Sequence, residues 1–361
     1  MPSAALVTIA TRHQSHYERL KSAEVAKFDK FLKKLDRDVR AQLGAVDITE
    51  FSRTRLEKQL TQIKVLLGGT MADYAKVWHD SIEDAALYEA DFERRALEKV
   101  VDGVEFAMPS DKQITAAVFN SPLGDISGPD GGSLLGSFVD DMSARTIKRV
   151  EGAIRLGYAQ GQTTAQILQR VRGTRAAGFR DGILSNVKRD AESITRTALQ
   201  HAASQAREAV WKENSSVVKK VRIIATLDNV TSAICRSLDG QEYPIDEGPR
   251  PPFHINCRTG TTVVLDDKYS FLSEGRTRSE RDPDTGEVGR VSANQTYYGW
   301  LKTQPGNVQD SIIGPSRGQL LRDGGLSSER FSELQLGKNF EPLTLEQMRE
   351  LDPVAFERAG L

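Results

Sequence analysis

Both cysteines of this chain, Cys235 and Cys257, fall inside one window of 23 residues (235 to 257 inclusive), and His254 stands three residues before the second. Two cysteines in 361 residues are too few to staple a scaffold. The chain must therefore fold on an apolar core, and the window must be a local device. The full stretch, Leu227 to Val264, reads LDNVTSAICRSLDGQEYPIDEGPRPPFHINCRTGTTVV. It contains Leu238-Asp239-Gly240, a Pro-Arg-Pro-Pro run and a Cys257-Arg258 pair that leads into β-branched residues. Asp-Gly is a good turn pair, so this part of the chain predicts a reversal next to a strand.

The hydrophobic pattern changes period around this window. Upstream it is helical. Phe28, Phe31, Leu32, Leu35, Val39 and Leu43 make one apolar stripe at i, i+3, i+4 spacing, closed by Gly44. Asp47-Ile48-Thr49-Glu50 reads as a capping box opening a second helix with Leu56, Leu60, Ile63 and Leu67, which Gly68-Gly69 should stop. A third helix is predicted from about Met71 to Val101, burying Tyr74, Val77, Trp78, Ile82, Leu87 and Phe92. Residues 1–120 thus read as a helical arm or bundle. Residues 121–137, rich in Gly, Pro and Ser, read as a linker between that arm and the rest of the chain.

Helices resume from about Phe138 to Tyr158, and Gly161-Gln162-Thr163-Thr164 starts another through Val171. Gly173–Gly182 is irregular. A long helix from about Leu184 to Lys212 carries Val187, Ala191, Ile194, Ala198, Ala202, Ala206 and Val210 on one face. Then Val217–Thr226 reads as a strand, with Gln241–Ile245 and Thr261–Leu265 as partners in a small antiparallel sheet. Lys268–Val291 is polar, with a turn at Asp282-Pro283-Asp284-Thr285-Gly286, and predicts an exposed hairpin or flexible arm. Short helices finish the chain, one opened by a capping box at Thr344-Leu345-Glu346-Gln347. The fold class is α+β, mostly α: N-terminal helices, then helices on a small antiparallel sheet (residues 138–266), then an irregular C-terminal extension (residues 267–361).

Composition excludes several function classes. The chain is 39% hydrophobic and 27% charged and carries a net charge of −1. No run of 18 apolar residues is present, so no membrane span is expected. The apolar patch near the N-terminus has no basic segment before it, which argues against a secretory signal. Near-neutral charge gives no global field for nucleic acid, so DNA contact would need a local patch. The basic face Lys27, Lys30, Lys33, Lys34, Arg37 and Arg40 is interrupted by Asp29, Asp36 and Asp38, and reads as solvated. His13 and His16 read as a solvated face too, and neither they nor His79 and His201 show paired metal spacing. No phosphate-cradling loop is present, since Gly68-Gly69-Thr70 lacks the Gly-Lys-Ser/Thr ending. Tyr297-Tyr298, Trp300-Leu301 and Ile312-Ile313 predict a small docked core, with a partner-binding patch as the alternative.

Within the window, Cys235, His254 and Cys257 offer two thiolates and an imidazole, the donor set zinc prefers. A closed site needs a fourth ligand, which Asp228 or Asp239 could supply, though spacing does not demand it. The alternatives are a small packed core with both cysteines as hydrophobes, or a disulfide, which a reducing cytoplasm disfavours. A Cys-His nucleophile has no identifiable oxyanion loop or orienting partner. Arg258 is expected to bridge a carboxylate such as Asp228 or Asp239.

The segment resembles the signature of the Mu F-like minor head proteins, a family of tailed-phage head morphogenesis proteins. The matching residues are Asp228, Cys235, Leu238-Asp239-Gly240, Pro251-Pro252, His254, Cys257 and Arg258. Ile194-Thr195-Arg196-Thr197 and Gly157–Val171 resemble the family as well, so the likeness covers about residues 140–266; the tail from Tyr297 resembles the extension of some members. A second cysteine often stands in the first half of the family's motif; here that place is taken by Ser232, a poor zinc ligand. The resemblance implies a structural, non-enzymatic minor head protein inside the virion head, made in the host cytoplasm. It further implies association with the portal, scaffold or major capsid protein, and a part in packaging or ejecting phage DNA. A DNA-binding module and a phage-delivered enzyme are the alternatives. No cofactor is expected; zinc would be held weakly or not at all, with the motif stabilised by packing and the Arg258 ion pair.

Overall fold

The computed structural model describes residues 4–44, 53–123, 132–266, 268–269 and 277–361. Two long helices, α1 (Ala4–Gly44) and α2 (Arg53–Val100), have 41 and 48 residues. At 1.5 Å per residue they are rods of roughly 60 and 70 Å. The stripe Phe28, Phe31, Leu35, Val39 and Leu43 is buried, and Tyr74 of α2 meets Phe28 and Phe31 edge-on with ring centroids 4.6 and 5.5 Å away. The described part of α1 runs through to Gly44.

The predicted stop at Gly68-Gly69 does not occur, and α2 runs through it unbroken. Two helix-interior glycines cost about 1 kcal/mol each relative to alanine. Burial of Leu60, Ile63, Leu67, Met71, Tyr74 and Trp78 on one continuous face outweighs that, at roughly 1.5–3 kcal/mol per large apolar side chain. The capping box predicted at Asp47–Glu50 lies outside the described residues.

After α3 (Asp111–Asn120), which the sequence reading did not single out, three more helices agree with it: α4 (Leu135–Ala159), α5 (Thr164–Arg172) and α6 (Ile183–Glu213). The Gly161–Thr164 segment opens α5 through a capping box in which Thr163 and Gln166 satisfy each other's free amides. The central element is α6. Its predicted face, Val187, Ala191, Ile194, Ala198, Ala202, Ala206 and Val210, is buried throughout. Four of the seven are alanines, and this lets α1, α2 and α3 all pack closely on it. One hydrophobic core therefore runs from Leu6 of α1 to Leu265. The helices of residues 1–120, expected to stand apart from residues 138–266, share that core. The linker read at residues 121–137 falls partly on residues 124–131, which are not described.

The sheet is antiparallel, ordered β2 (Glu242–Pro244), β1 (Val218–Ile224), β3 (Gly260–Leu265), with Val221 opposite both Tyr243 and Val263. The β1–β2 connection is more than an Asp-Gly hairpin. It contains a short helix, α7 (Ala233–Leu238), and Asp239-Gly240 is the exit from that helix, with Gly240 at a positive φ of 86°. Six residues are too few for apolar periodicity to reveal a helix. The polar stretch after the sheet forms the expected hairpin, β4 (Thr277–Arg281) and β5 (Val288–Ser292). It is no free arm, because β4 packs on α1 and Thr8 donates to the Thr277 carbonyl at 2.8 Å.

The tail forms α8 (Tyr297–Thr303), α9 (Gly306–Ile313), α10 (Pro315–Asp323), α11 (Ser328–Glu333), α12 (Leu345–Leu351) and α13 (Pro353–Arg358). Thr344 and Gln347 make the capping box predicted for α12. Tyr297, Tyr298, Trp300 and Leu301 are buried in a second core with Leu227, Leu320, Phe331, Met348 and Phe356, so the aromatic cluster is a docked core. Among the described residues no helix is long and apolar enough to cross a membrane.

Candidate functional site

The chain brings the two cysteines and the histidine of the window together. Cys235 lies on α7, which Ser232 caps by accepting the Cys235 amide at 3.4 Å. Ser232 thus acts on the backbone. His254 and Cys257 lie in the loop before β3. The Cys235 sulfur is 3.2 Å from His254 Nε2 and 3.8 Å from the Cys257 sulfur. Both cysteines are free and buried, while His254 is half-buried. The Cys235 thiol, with His254 beside it, holds Cys257 well below the ordinary thiol range, whereas that same hydrogen bond and burial push Cys235 up. The neighbouring Cys257 raises His254 against its partial burial.

Three layers of hydrogen bonds hold this loop. Thr197 on α6 accepts the Asn256 amide at 3.0 Å and donates to the Ser193 carbonyl at 2.7 Å. Gln200, one turn along, donates to the Thr259 carbonyl at 2.8 Å and accepts from Lys21 of α1. Arg196 on the same helix reaches Ser22 at 3.0 Å and Glu192 at 3.2 Å, tying α6 to α1. Of the Arg-Thr pair picked out by resemblance, Thr197 thus positions the Cys257 loop while Arg196 ties α6 to α1.

Two arginine–carboxylate pairs flank the cluster. Arg258 grips Asp228 with two bonds of 2.7 and 3.0 Å, and Asp228 also accepts Thr231 and the Val230 amide. Burial pushes the Asp228 carboxyl up, but Arg258 outweighs it and leaves the group below the usual carboxylate range. Asp239 is not a partner of Arg258. It accepts two bonds from Arg278 of β4 at 2.9 and 3.1 Å, together with the amides of Ala225 and Tyr297 at 2.7 Å each. Neither aspartate joins the Cys-His cluster as a fourth ligand. Leu238 is buried, Gly240 leaves the helix where a Cβ would meet Thr296 at 2.8 Å, and Pro251-Pro252 forms a cis peptide in the loop that carries His254.

Sequence reasoning missed Arg278, Lys21 and a buried ionic cluster. Arg278 sits in the polar stretch read as exposed, yet only 2% of its surface is accessible. Lys21 is fully buried, and its place seven residues before Phe28 on the apolar stripe was the available signal. His13, read as solvated, is buried against Glu89 at 2.5 Å, and Glu89 in turn binds Arg207. Burial lowers the pKa of His13. Its position four residues before Tyr17 placed it on the buried face of α1. His16 is exposed as expected, and His79 is exposed as well.

Residues 148–262 match the family described as phage Mu protein F like protein. No curated protein and no solved structure matches the chain. The matched segment covers α5, α6, most of the sheet and the whole Cys-His cluster, so the resemblance first seen in the motif extends over the elements that position it. Over residues 148–262 this chain is similar to the phage Mu protein F like family.

Proposed function

We propose that this chain is a minor head protein of a tailed phage that acts in head morphogenesis, seated inside the capsid and associated with the portal. The observation that carries the reading is the Mu F-like match over residues 148–262, which contains Asp228, Cys235, His254, Cys257 and Arg258 together. Rigid rods of roughly 60 and 70 Å fused to that region suit a part built for contact with large assemblies. In this reading the chain has no catalytic role. It meets the portal, scaffold or major capsid protein, and any contribution to DNA packaging or ejection goes through those contacts. Procapsids and mature heads purified from an infected or induced host, probed for this chain by mass spectrometry, test the proposal. Its presence at low copy, cross-linked to portal subunits, is the expected result; absence from both particles overturns it. Transfer of label from NAD to any protein would instead favour a phage-delivered enzyme.

A further inference from the structure

We infer that Cys235, His254 and Cys257 form a zinc site with three protein ligands, independent of the head-protein reading. Three observations carry it. First, the spacing is that of metal ligands. Zinc–sulfur and zinc–nitrogen bonds of about 2.3 and 2.0 Å in a tetrahedral shell place sulfurs roughly 3.8 Å apart and sulfur and nitrogen roughly 3.5 Å apart. The chain sets its sulfurs at 3.8 Å and Cys235 to His254 at 3.2 Å, with all three donor atoms within 4.8 Å of one another. A bonded sulfur pair would lie near 2 Å.

Second, the histidine is oriented as a ligand. His254 Nδ1 sits 2.9 Å from the Ile255 carbonyl, to which it donates. That bond leaves Nε2 with its lone pair facing the sulfurs, the arrangement in which an outer hydrogen bond fixes tautomer and ring orientation for a metal. Third, the ligands come from two segments already locked in place. Cys235 is on capped α7, and the Cys257 loop is pinned by Thr197, Gln200 and the Arg258–Asp228 pair. Little ordering entropy is left to lose on binding. Two thiolates neutralise the ion's charge, which suits a site where both cysteines are 2% exposed or less.

No fourth His, Cys, Asp or Glu joins the three among the described residues, which leaves one vertex to a water molecule. This departs from the expectation drawn from spacing alone, which counted the missing ligand but not the preformed geometry of the other three.

The test uses the untagged full chain, reduced and metal-free, titrated with Co2+. The expected result is a thiolate-to-cobalt absorption band in the near ultraviolet that saturates at one ion per chain and is abolished by one equivalent of Zn2+. Cys257→Ser should lose the band, and His254→Ala should weaken affinity ~10-fold or more. His254 is half-buried, so its removal disturbs the fold least, and circular dichroism verifies that the variant remains folded. A folded wild-type chain with two free thiols that shows no such band overturns the inference, as does an unchanged cobalt affinity in His254→Ala.

Discussion

Two arginines near the cluster differ in one physical respect, and their removal should differ accordingly. Arg278 and Asp239 have side chains 3% and 0% exposed, whereas Arg258 is 32% exposed over a buried Asp228. Truncating the partner of a fully buried carboxylate costs ~3–5 kcal/mol. Arg278→Ala should destabilise by about that much. Arg258→Ala should cost roughly 2–3 kcal/mol, because solvent reaches the vacated place and Asp228 keeps Thr231 and the Val230 amide. Urea denaturation of both variants checks the order; equal losses would contradict it. A second residue-scale prediction concerns His201. Burial lowers its pKa from 6.5 to about 4, and its ring bonds the Val118 carbonyl at 3.1 Å. The folded chain keeps this ring neutral while the unfolded chain takes up a proton near 6.5, so its contribution is complete above that value. It is lost as pH falls toward 4, to a total of about 3 kcal/mol. His13, also lowered, acts in the same direction. The difference in stability between pH 7.5 and pH 5 should therefore shrink in His201→Gln relative to wild type; an unchanged difference would exclude His201 as its source.

At the scale of elements, α2 is the one that local rules misjudged. Gly68 and Gly69 are a fair stop signal, but a helix with apolar residues in phase on both sides of them gains more by continuing. A Cβ added at Gly69 meets nothing within 4 Å. Gly69→Ala should therefore stabilise the protein by about 1 kcal/mol, read as a raised thermal midpoint with no change in assembly. A lower midpoint would show that the glycine answers a need beyond the helix itself. The central helix, α6, was legible almost residue by residue because its buried face keeps one period for its whole length. The short helix α7 was not, since its formation depends on the Ser232 cap and on burial of Cys235 and Leu238 against neighbours distant in sequence.

For the whole molecule, the Mu F-like segment is not a self-contained unit. Its core is completed by α1 and α2, and its loops are tied by Lys21 from one side and by Arg278 and Tyr297 from the other. A chain limited to residues 138–266 should then show no cooperative thermal transition, while the full chain does; a sharp transition in the fragment would restore the separate domain that the linker composition suggested. The reason is area: a fragment stripped of α1 and α2 exposes the alanine-rich face of α6, and each large side chain left in water forgoes roughly 1.5–3 kcal/mol.

What the sequence determined by itself was whatever repeats along it or sits close within it. The apolar stripes of α1 and α6, the β-branched strands, the capping boxes at Thr163 and Thr344, and the grouping of Cys235, His254 and Cys257 are all short-range signals, so they survive without coordinates. Only the tertiary structure decided the partners. Spacing allowed Arg258 to choose Asp228 or Asp239, and the fold paired it with Asp228 because Arg278, from 39 residues beyond Asp239, had claimed the other. It also buried His13 and Arg278 against Glu89 and Asp239, counter-charges that no local pattern announces, and buried Lys21 by bringing Gln200 and the Cys257 carbonyl to it beside its local partner Glu18. Side-chain period reports which face of an element points inward; which charges meet there is settled by segments that approach from elsewhere in the chain, where burial makes an unmatched charge too costly to keep.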